Sequence, residues 1–283
     1  MTSAALGWLE RGGAALRRLG LGALVDWAGP AAGGLVARRP VTVNGLRLAG
    51  RHVGQLYYLR ELERGRDRFL AEVLRAVTPS GGVAVDVGAH IGYLTLELAR
   101  EVGPAGTVYA LEPDPAAAAT LRANLRRNGL GARVVVVECA AGAAAGTGVL
   151  HLAGGGEANT LAAFPGSRGR VEVSVAPLDD VVGDAPVDVV KLDVEGSEVE
   201  ALMGMERLLS RRADLALVVE CNPGRLASMG SSAEELLGLL RRRGFSIRQI
   251  DETAARLGDV DLGGAEYVNL LCVRGAAQGR LPA

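Results

Sequence analysis

From residue 83 onward the sequence alternates short, almost continuously apolar runs with longer amphipathic stretches. Nothing else in it constrains the fold as tightly. Val83–Val87, Thr107–Leu111, Arg133–Cys139, Val187–Leu192 and Leu215–Val219 read as strands. Ile91–Val102, Pro115–Asn128, Ser197–Ser210 and Ala233–Arg243 read as helices between and after them, the second opened by Asp114 and Pro115. Strands apolar on both faces and joined by helices belong to a parallel sheet covered on both sides. Phe245–Ile250 and Tyr267–Val273 are late strands with no helix-length connection between them, which predicts a terminal antiparallel strand. A Gly/Ala-rich interlude over 141–170 carries short strands near 147–152 and 171–175. The expected fold is α/β: a Rossmann-like, doubly wound, mostly parallel sheet.

Upstream, residues 4–38 read as helical and broken by glycines, and Asn44-Gly45 between two short alternating runs signals a hairpin. Residues 66–78 predict an amphipathic helix, and Tyr57 and Tyr58 core or lid positions. The expected organisation is a helical and hairpin cap over 1–80, a ligand-binding domain over 81–275 and a flexible tail over 276–283. A formal net charge of −1 argues against a nucleic-acid partner. Arg11, Arg17 and Arg18 interrupt the apolar N-terminal stretch, and no uninterrupted apolar run reaches about 18 residues. Neither a signal peptide nor membrane insertion is therefore expected, and a cytoplasmic location is. Cys139, Cys221 and Cys272 are scattered, without the spacing of a disulfide framework or zinc site. Thirty arginines accompany a single lysine, Lys191, set inside an apolar strand, where a buried salt bridge is expected.

In open parallel sheets ligands bind beyond the carboxyl ends of the strands. The first such end reads Asp86-Val87-Gly88-Ala89-His90-Ile91-Gly92. Gly88 permits a tight turn and close approach of a ligand, Gly92 close packing of helix on strand, and Asp86 a carboxylate for a ligand amine. The dinucleotide fingerprint needs glycine where His90 stands, which disfavours a pyrophosphate ligand and a nicotinamide-dependent oxidoreductase. An acid before the glycine turn suits a cationic ligand without phosphates, of which S-adenosylmethionine is one. Glu112 ends the next strand, 24 positions past Gly88, where an acid can accept hydrogen bonds from both ribose hydroxyls.

Several ordered blocks resemble the FkbM-type methyltransferases: Val85 to Tyr93, Tyr109 to Pro113, Leu121 to Asn128, Pro177-Leu178-Asp179-Asp180, and Val189 to Glu198. The resemblance spans roughly 80–275. It implies the class I methyltransferase form of the fold, S-adenosylmethionine as cofactor, contacts to it at Asp86, Gly88, His90 and Glu112, and an adenine held by backbone near Cys139 and Ala140. This chain departs from the family at His90, where asparagine is usual; both residue types tolerate a left-handed backbone, so His90 also reads as a turn residue.

Methyl transfer to a hydroxyl needs positioning and a base for the departing proton. Asp193 ends the fourth parallel strand, Glu195 follows it, and Glu220 lies at the end of the fifth, so the three acids are expected to share a pocket and raise one another's pKa. Other roles are open to them: Glu195 could cap a helix or pair with Lys191, Glu198 could serve a helix N-terminus, and the same acids could ligate a metal, although none is expected. Base-methylating enzymes often carry Asn/Asp-Pro-Pro-aromatic where this chain reads Asp193-Val194-Glu195-Gly196. A hydroxyl of a small molecule, natural product or sugar is therefore the expected acceptor, and the resemblance implies O-methylation too. A nitrogen acceptor and a non-catalytic S-adenosylmethionine-binding protein are the alternatives.

Overall fold

The computed structural model describes residues 40–51, 53–153, 159–164, 167–263 and 265–280. The expected helix over 4–38, the glycine run 154–156 and residues 281–283 of the expected tail lie outside them. The described chain opens on a hairpin, β1 (Val41–Val43) and β2 (Leu46–Leu48), and two helices, α1 (Val53–Glu63) and α2 (Arg68–Val77). The alternating core follows as β3 (Val83–Val87), α3 (Tyr93–Glu101), β4 (Thr107–Leu111), α4 (Pro115–Arg127) and β5 (Val134–Val137). A side arm comprises β6 (Ala140–Ala141), β7 (Gly146–Leu152) and β8 (Gly169–Ala176). The chain then returns through α5 (Leu178–Val182), β9 (Val187–Leu192), α6 (Glu198–Met203), α7 (Glu206–Arg211), β10 (Leu215–Cys221), α8 (Pro223–Ser228) and α9 (Ala233–Arg242). It closes with β11 (Ser246–Asp251), β12 (Arg256–Gly258) and β13 (Val268–Arg274).

The main sheet has the order β12-β11-β13-β10-β9-β3-β4-β5. Its β10-β9-β3-β4-β5 part is parallel. β13 runs antiparallel to both neighbours. This is the expected mostly parallel sheet, with the antiparallel strand last among the strands but wedged between β10 and β11 rather than at the edge. Side chains on β3 alternate between faces. Ala84 enters the core shared with α2, α3 and the hairpin, while Val85 and Val87 enter the core shared with α6, α7 and α9. The hydrophobic effect therefore acts on both faces, which is why the strands tolerate so few polar residues.

The N-terminal hairpin is tied to the sheet domain by two asparagines one turn apart, Asn124 in the last turn of α4 and Asn128 as its C-cap. The Asn124 side chain receives the Ala49 N–H at 2.9 Å and donates to the Ala49 carbonyl at 3.0 Å. Asn128 does the same with Arg47, both at 2.8 Å. The spacing i, i+4 puts both amides on one helix face, against the free edge of β2.

Two sequence expectations need correction. The helix expected over 197–210 is broken into α6 and α7 at Gly204. A Cβ there would lie 2.0 Å from the Gly142 carbonyl oxygen, so backbone passes against backbone. The Asp179 carboxylate then receives the Arg207 and Leu208 amides at 2.7 and 2.8 Å, starting α7 from across the fold. Residues 276–280, expected in a flexible tail, form part of a 3₁₀ turn (Gly275–Arg280). Ala277 is fully buried there, and Arg280 donates to the Val77 carbonyl at 3.2 Å.

Candidate active site

The sheet order reverses direction at β3: β4 lies on one side and β9 on the other. At that switch point the carboxyl ends of β3, β4, β9 and β10 open into a cavity of about 260 Å³. It is lined, among others, by Asp86, Gly88, His90, Glu112, Cys139, Ala140, Asp193, Glu195 and Glu220, so one cavity collects nearly every residue expected to bind or react.

Gly92 is the exception. It caps α3 at φ 94°, and a Cβ there would lie 2.2 Å from Leu121 Cδ1, so it packs helix against helix rather than helix against strand. Gly88 has φ +81°, and its missing Cβ makes room for the Asp193 carbonyl oxygen, which a Cβ would meet at 1.9 Å. The turn is thus pressed against the end of β9. His90 adopts φ 49°, the left-handed conformation that its residue type tolerates, and its ring sits 5.4 Å from that of Tyr58.

Glu112 is buried, with its oxygens receiving the backbone N–H groups of His90 at 2.7 Å and Asp114 at 2.8 Å. Burial pushes its carboxyl up to about 7, against the pull of those two amides. Each carboxylate oxygen keeps acceptor capacity toward the cavity. Asp86 and Lys191 are register partners on adjacent parallel strands. The Asp86 carboxylate accepts from Thr95 Oγ1 at 2.5 Å and lies 3.6 Å from Lys191 Nζ, so a protein cation shares the place expected for a ligand amine. Lys191 also reaches Asp193 at 3.1 Å and the Gly88 carbonyl at 3.2 Å. Burial works against its positive charge, but Asp193 and Asp86 outweigh burial and hold the ammonium charged.

On the other side of Lys191, Asp193, Glu195 and Glu220 each place an oxygen within 4.8 Å of the others. Among the described residues this is the set of acids that could close on a divalent cation; Lys191 and Arg225, the latter 3.3 Å from Glu195, set two positive charges beside it. Burial and then Asp193 push Glu195 up to about 8. Burial, Asp193 and Glu195 push Glu220 well up too. The crowding expected from sequence is present. Glu195 pairs with Arg225 rather than with Lys191. Glu198 does serve the turn before its helix, accepting from the amides of Val194 at 3.1 Å and Gly196 at 3.2 Å.

Sequence reasoning named Tyr58 as a core or lid position and Thr160 as part of a loop, and missed most of the other walls. Tyr58, Arg66 and Asp67 come from the α1–α2 region, Thr160 from the arm, and Tyr267 and Asn269 from the start of β13. Asn269 faces Glu220 across the β10–β13 register, which depends on where β13 inserts in the sheet. Like Arg66, Asp67 and Tyr267 it reaches the cavity only through chain reversals and carries no signal in the sequence.

A family model described as the Methyltransferase FkbM domain matches residues 86–247, more than half of the chain. The 31-O-demethyl-FK506 methyltransferase FkbM of Streptomyces tacrolimicus is 31% identical over 200 residues, 59% of this chain and 74% of that one. The AMB antimetabolite synthetase AmbE of Pseudomonas aeruginosa is 26% identical over 274 residues, 82% of this chain but 12% of that protein. Among solved structures, a methyltransferase FkbM from Methylobacillus flagellatus aligns with 22% identity and a TM-score of 0.46, over 76% of this chain and 52% of that one.

Proposed function

The chain belongs to the FkbM methyltransferase family of S-adenosylmethionine-dependent enzymes, and from that premise we propose that it methylates a hydroxyl oxygen of a small molecule or sugar. The observation that carries this reading is the cluster of Asp193, Glu195 and Glu220 beside Lys191. A hydroxyl must lose its proton as the new bond forms, and carboxylates at the reacting end of the cavity can take it. The name of the Streptomyces relative, whose acceptor lacks a methyl group on an oxygen, supports the same choice.

The residues present fit the cofactor. Glu112 is a buried acid whose protein partners are backbone donors, suited to receive ribose hydroxyls. The backbone at Cys139 and Ala140 borders the cavity on the same side and is assigned to the adenine, with Gly88 and His90 forming the intervening turn. Asp86, shared with Lys191, is assigned to the amine end. S-adenosylmethionine, when bound, supplies an electrophilic methyl group.

Asp193 is assigned as the base. Its side chain is 35% exposed, against 18% for Glu195, so an acceptor entering the cavity meets it first. Glu195 and Glu220, pushed up by burial and by Asp193, retain protons to higher pH. Lys191 pairs with the Asp193 carboxylate and fixes it relative to Asp86 on β3. Walls from α1, α2 and the arm narrow the cavity around these groups. A reducing, cytoplasmic setting accompanies this reading, supported by three buried free cysteines; no helix of the described residues is long and apolar enough to cross a membrane.

The test is incubation with S-adenosylmethionine and a panel of alcohols, glycosides and amines, following S-adenosylhomocysteine release and locating the new methyl group by mass spectrometry. Methylated oxygen is expected. A product methylated only on nitrogen overturns the proposal.

A further inference from the structure

The β7–β8 arm contacts the reaction centre through residues 159–164, which the chemistry above leaves without a role. Thr160 is 1% exposed and lines the cavity. Its backbone is locked to β7 by reciprocal hydrogen bonds with His151, at 2.8 and 3.2 Å. Its hydroxyl is used twice: it accepts from the Ala162 amide at 3.1 Å and donates to the Glu195 carbonyl at 2.9 Å. The same arm reaches the other end of Glu195 indirectly. Phe164 lies 5.8 Å from the guanidinium of Arg225, whose Nε pairs with the Glu195 carboxylate. The preceding residue, Asn159, donates to Asp114 at 3.3 Å, and Asp114 in turn gives its amide to Glu112. Two consecutive arm residues therefore span the cavity from the cofactor carboxylate to the acid cluster.

Glu195 needs such support. It sits at φ +53°, a conformation that is sterically costly for a residue with a side chain, and Gly196 follows at φ +107°. A Cβ at Gly196 would lie 2.5 Å from the Arg225 carbonyl oxygen, so the turn cannot shift toward α8. Below it, Glu198 holds the Val194 and Gly196 amides. Thr160 closes the remaining direction.

We propose that Thr160 is a positioning residue, holding Glu195 in its strained turn so that its carboxyl faces Asp193 and Glu220. The proposal rests on the acid cluster being the reaction centre; Thr160 touches neither cofactor nor acceptor in this role and acts through Glu195.

The test compares Thr160→Val, which removes the hydroxyl at similar volume, with Thr160→Ser, which keeps it. In the full chain saturated with S-adenosylhomocysteine, hydrogen exchange at the Gly196 amide is expected to rise about tenfold or more in Thr160→Val, the scale of one lost buried hydrogen bond. Exchange within β9 and β10 should stay unchanged, and Thr160→Ser should remain within about twofold of the parent. With any acceptor that turns over, Thr160→Val should lower kcat about tenfold while cofactor affinity stays within about twofold, and should cost nothing further in a Glu195→Gln background. If Thr160→Val does not fold, Phe164→Leu loosens the same segment and should lower kcat by about two- to threefold with cofactor affinity intact. The proposal is overturned if Thr160→Ser is as impaired as Thr160→Val, if Gly196 exchange is unmoved, or if the losses add to those of Glu195→Gln. Full activity in Glu195→Gln also overturns it, without touching the base assignment, which falls only if Asp193→Asn stays active.

Discussion

The two halves of the cavity are built differently. The half proposed for the cofactor, at the ends of β3 and β4, is made largely of backbone: a glycine turn, two amides on Glu112 and the chain at Cys139 and Ala140. Its one strongly perturbed acid, Glu112, is pushed up chiefly by burial. The half proposed for the reaction, at the ends of β9 and β10, is made of side chains, and there burial is joined by acids acting on one another. Backbone suits a ligand of fixed shape, whereas charged side chains suit a proton that must move. Lys191 stands on the seam, touching Asp86 and Gly88 on one side and Asp193 on the other.

If this division is right, Asp193→Asn should lower turnover by about 100- to 10,000-fold, the usual cost of a lost general base, with cofactor affinity nearly unchanged by titration calorimetry. Near-normal turnover, with a Glu220 variant dead, would move the role to β10. A chelator should leave the parent enzyme active; activity lost and restored by Mg²⁺ would turn the acid cluster into a metal site. Next in size, Lys191→Met should destabilise the fold by about 3–5 kcal/mol in denaturant unfolding, because it strands two acids at the seam. A Lys191→Met protein as stable as the parent would mean that the halves are held independently. Glu112→Ala should weaken S-adenosylhomocysteine binding by about 1.5–3 kcal/mol and Glu112→Gln by less, with the acid cluster's pH dependence unmoved.

The smallest expected effect is a slope in stability against pH. Glu112, Glu198 and Glu252 are each pushed up to about 7 and Glu195 to about 8, all first by burial. Raised carboxyls bind protons more tightly in the native state than in the unfolded chain. Their contribution is therefore complete below about pH 4.5 and is lost as pH rises through 7 to 8. The Tm of the protein without cofactor should fall between pH 5 and 8, and a rise over that interval would show these carboxyls to be better solvated than their burial implies.

Much of the convergence at the β3 and β4 ends was legible in the sequence. Asp86, Gly88, His90 and Glu112 lie at strand ends within one βαβ unit, where chain order and spatial order coincide. The oddity of Lys191 was legible too, because one lysine in a buried strand demands partners, although its sharing of Asp86 was not. The break at Gly204 was hidden, since its cause is Gly142 and Asp179 arriving from elsewhere. The contact of Thr160 with Glu195 was hidden for the same reason: its partner is 35 residues away and the contact is made to a backbone carbonyl, which leaves no mark on residue type.

What the sequence determined by itself is the sheet, its mostly parallel sense and the acids at its carboxyl edge, because periodicity and strand ends are local properties of the chain. What only the tertiary structure decided is the order of β13 between β10 and β11, the pairing of Glu195 with Arg225, and the walls supplied by Tyr58, Arg66, Thr160 and Tyr267. These depend on how separate segments pack against one another, and packing answers to volume and burial summed over distant residues rather than to any run of neighbours.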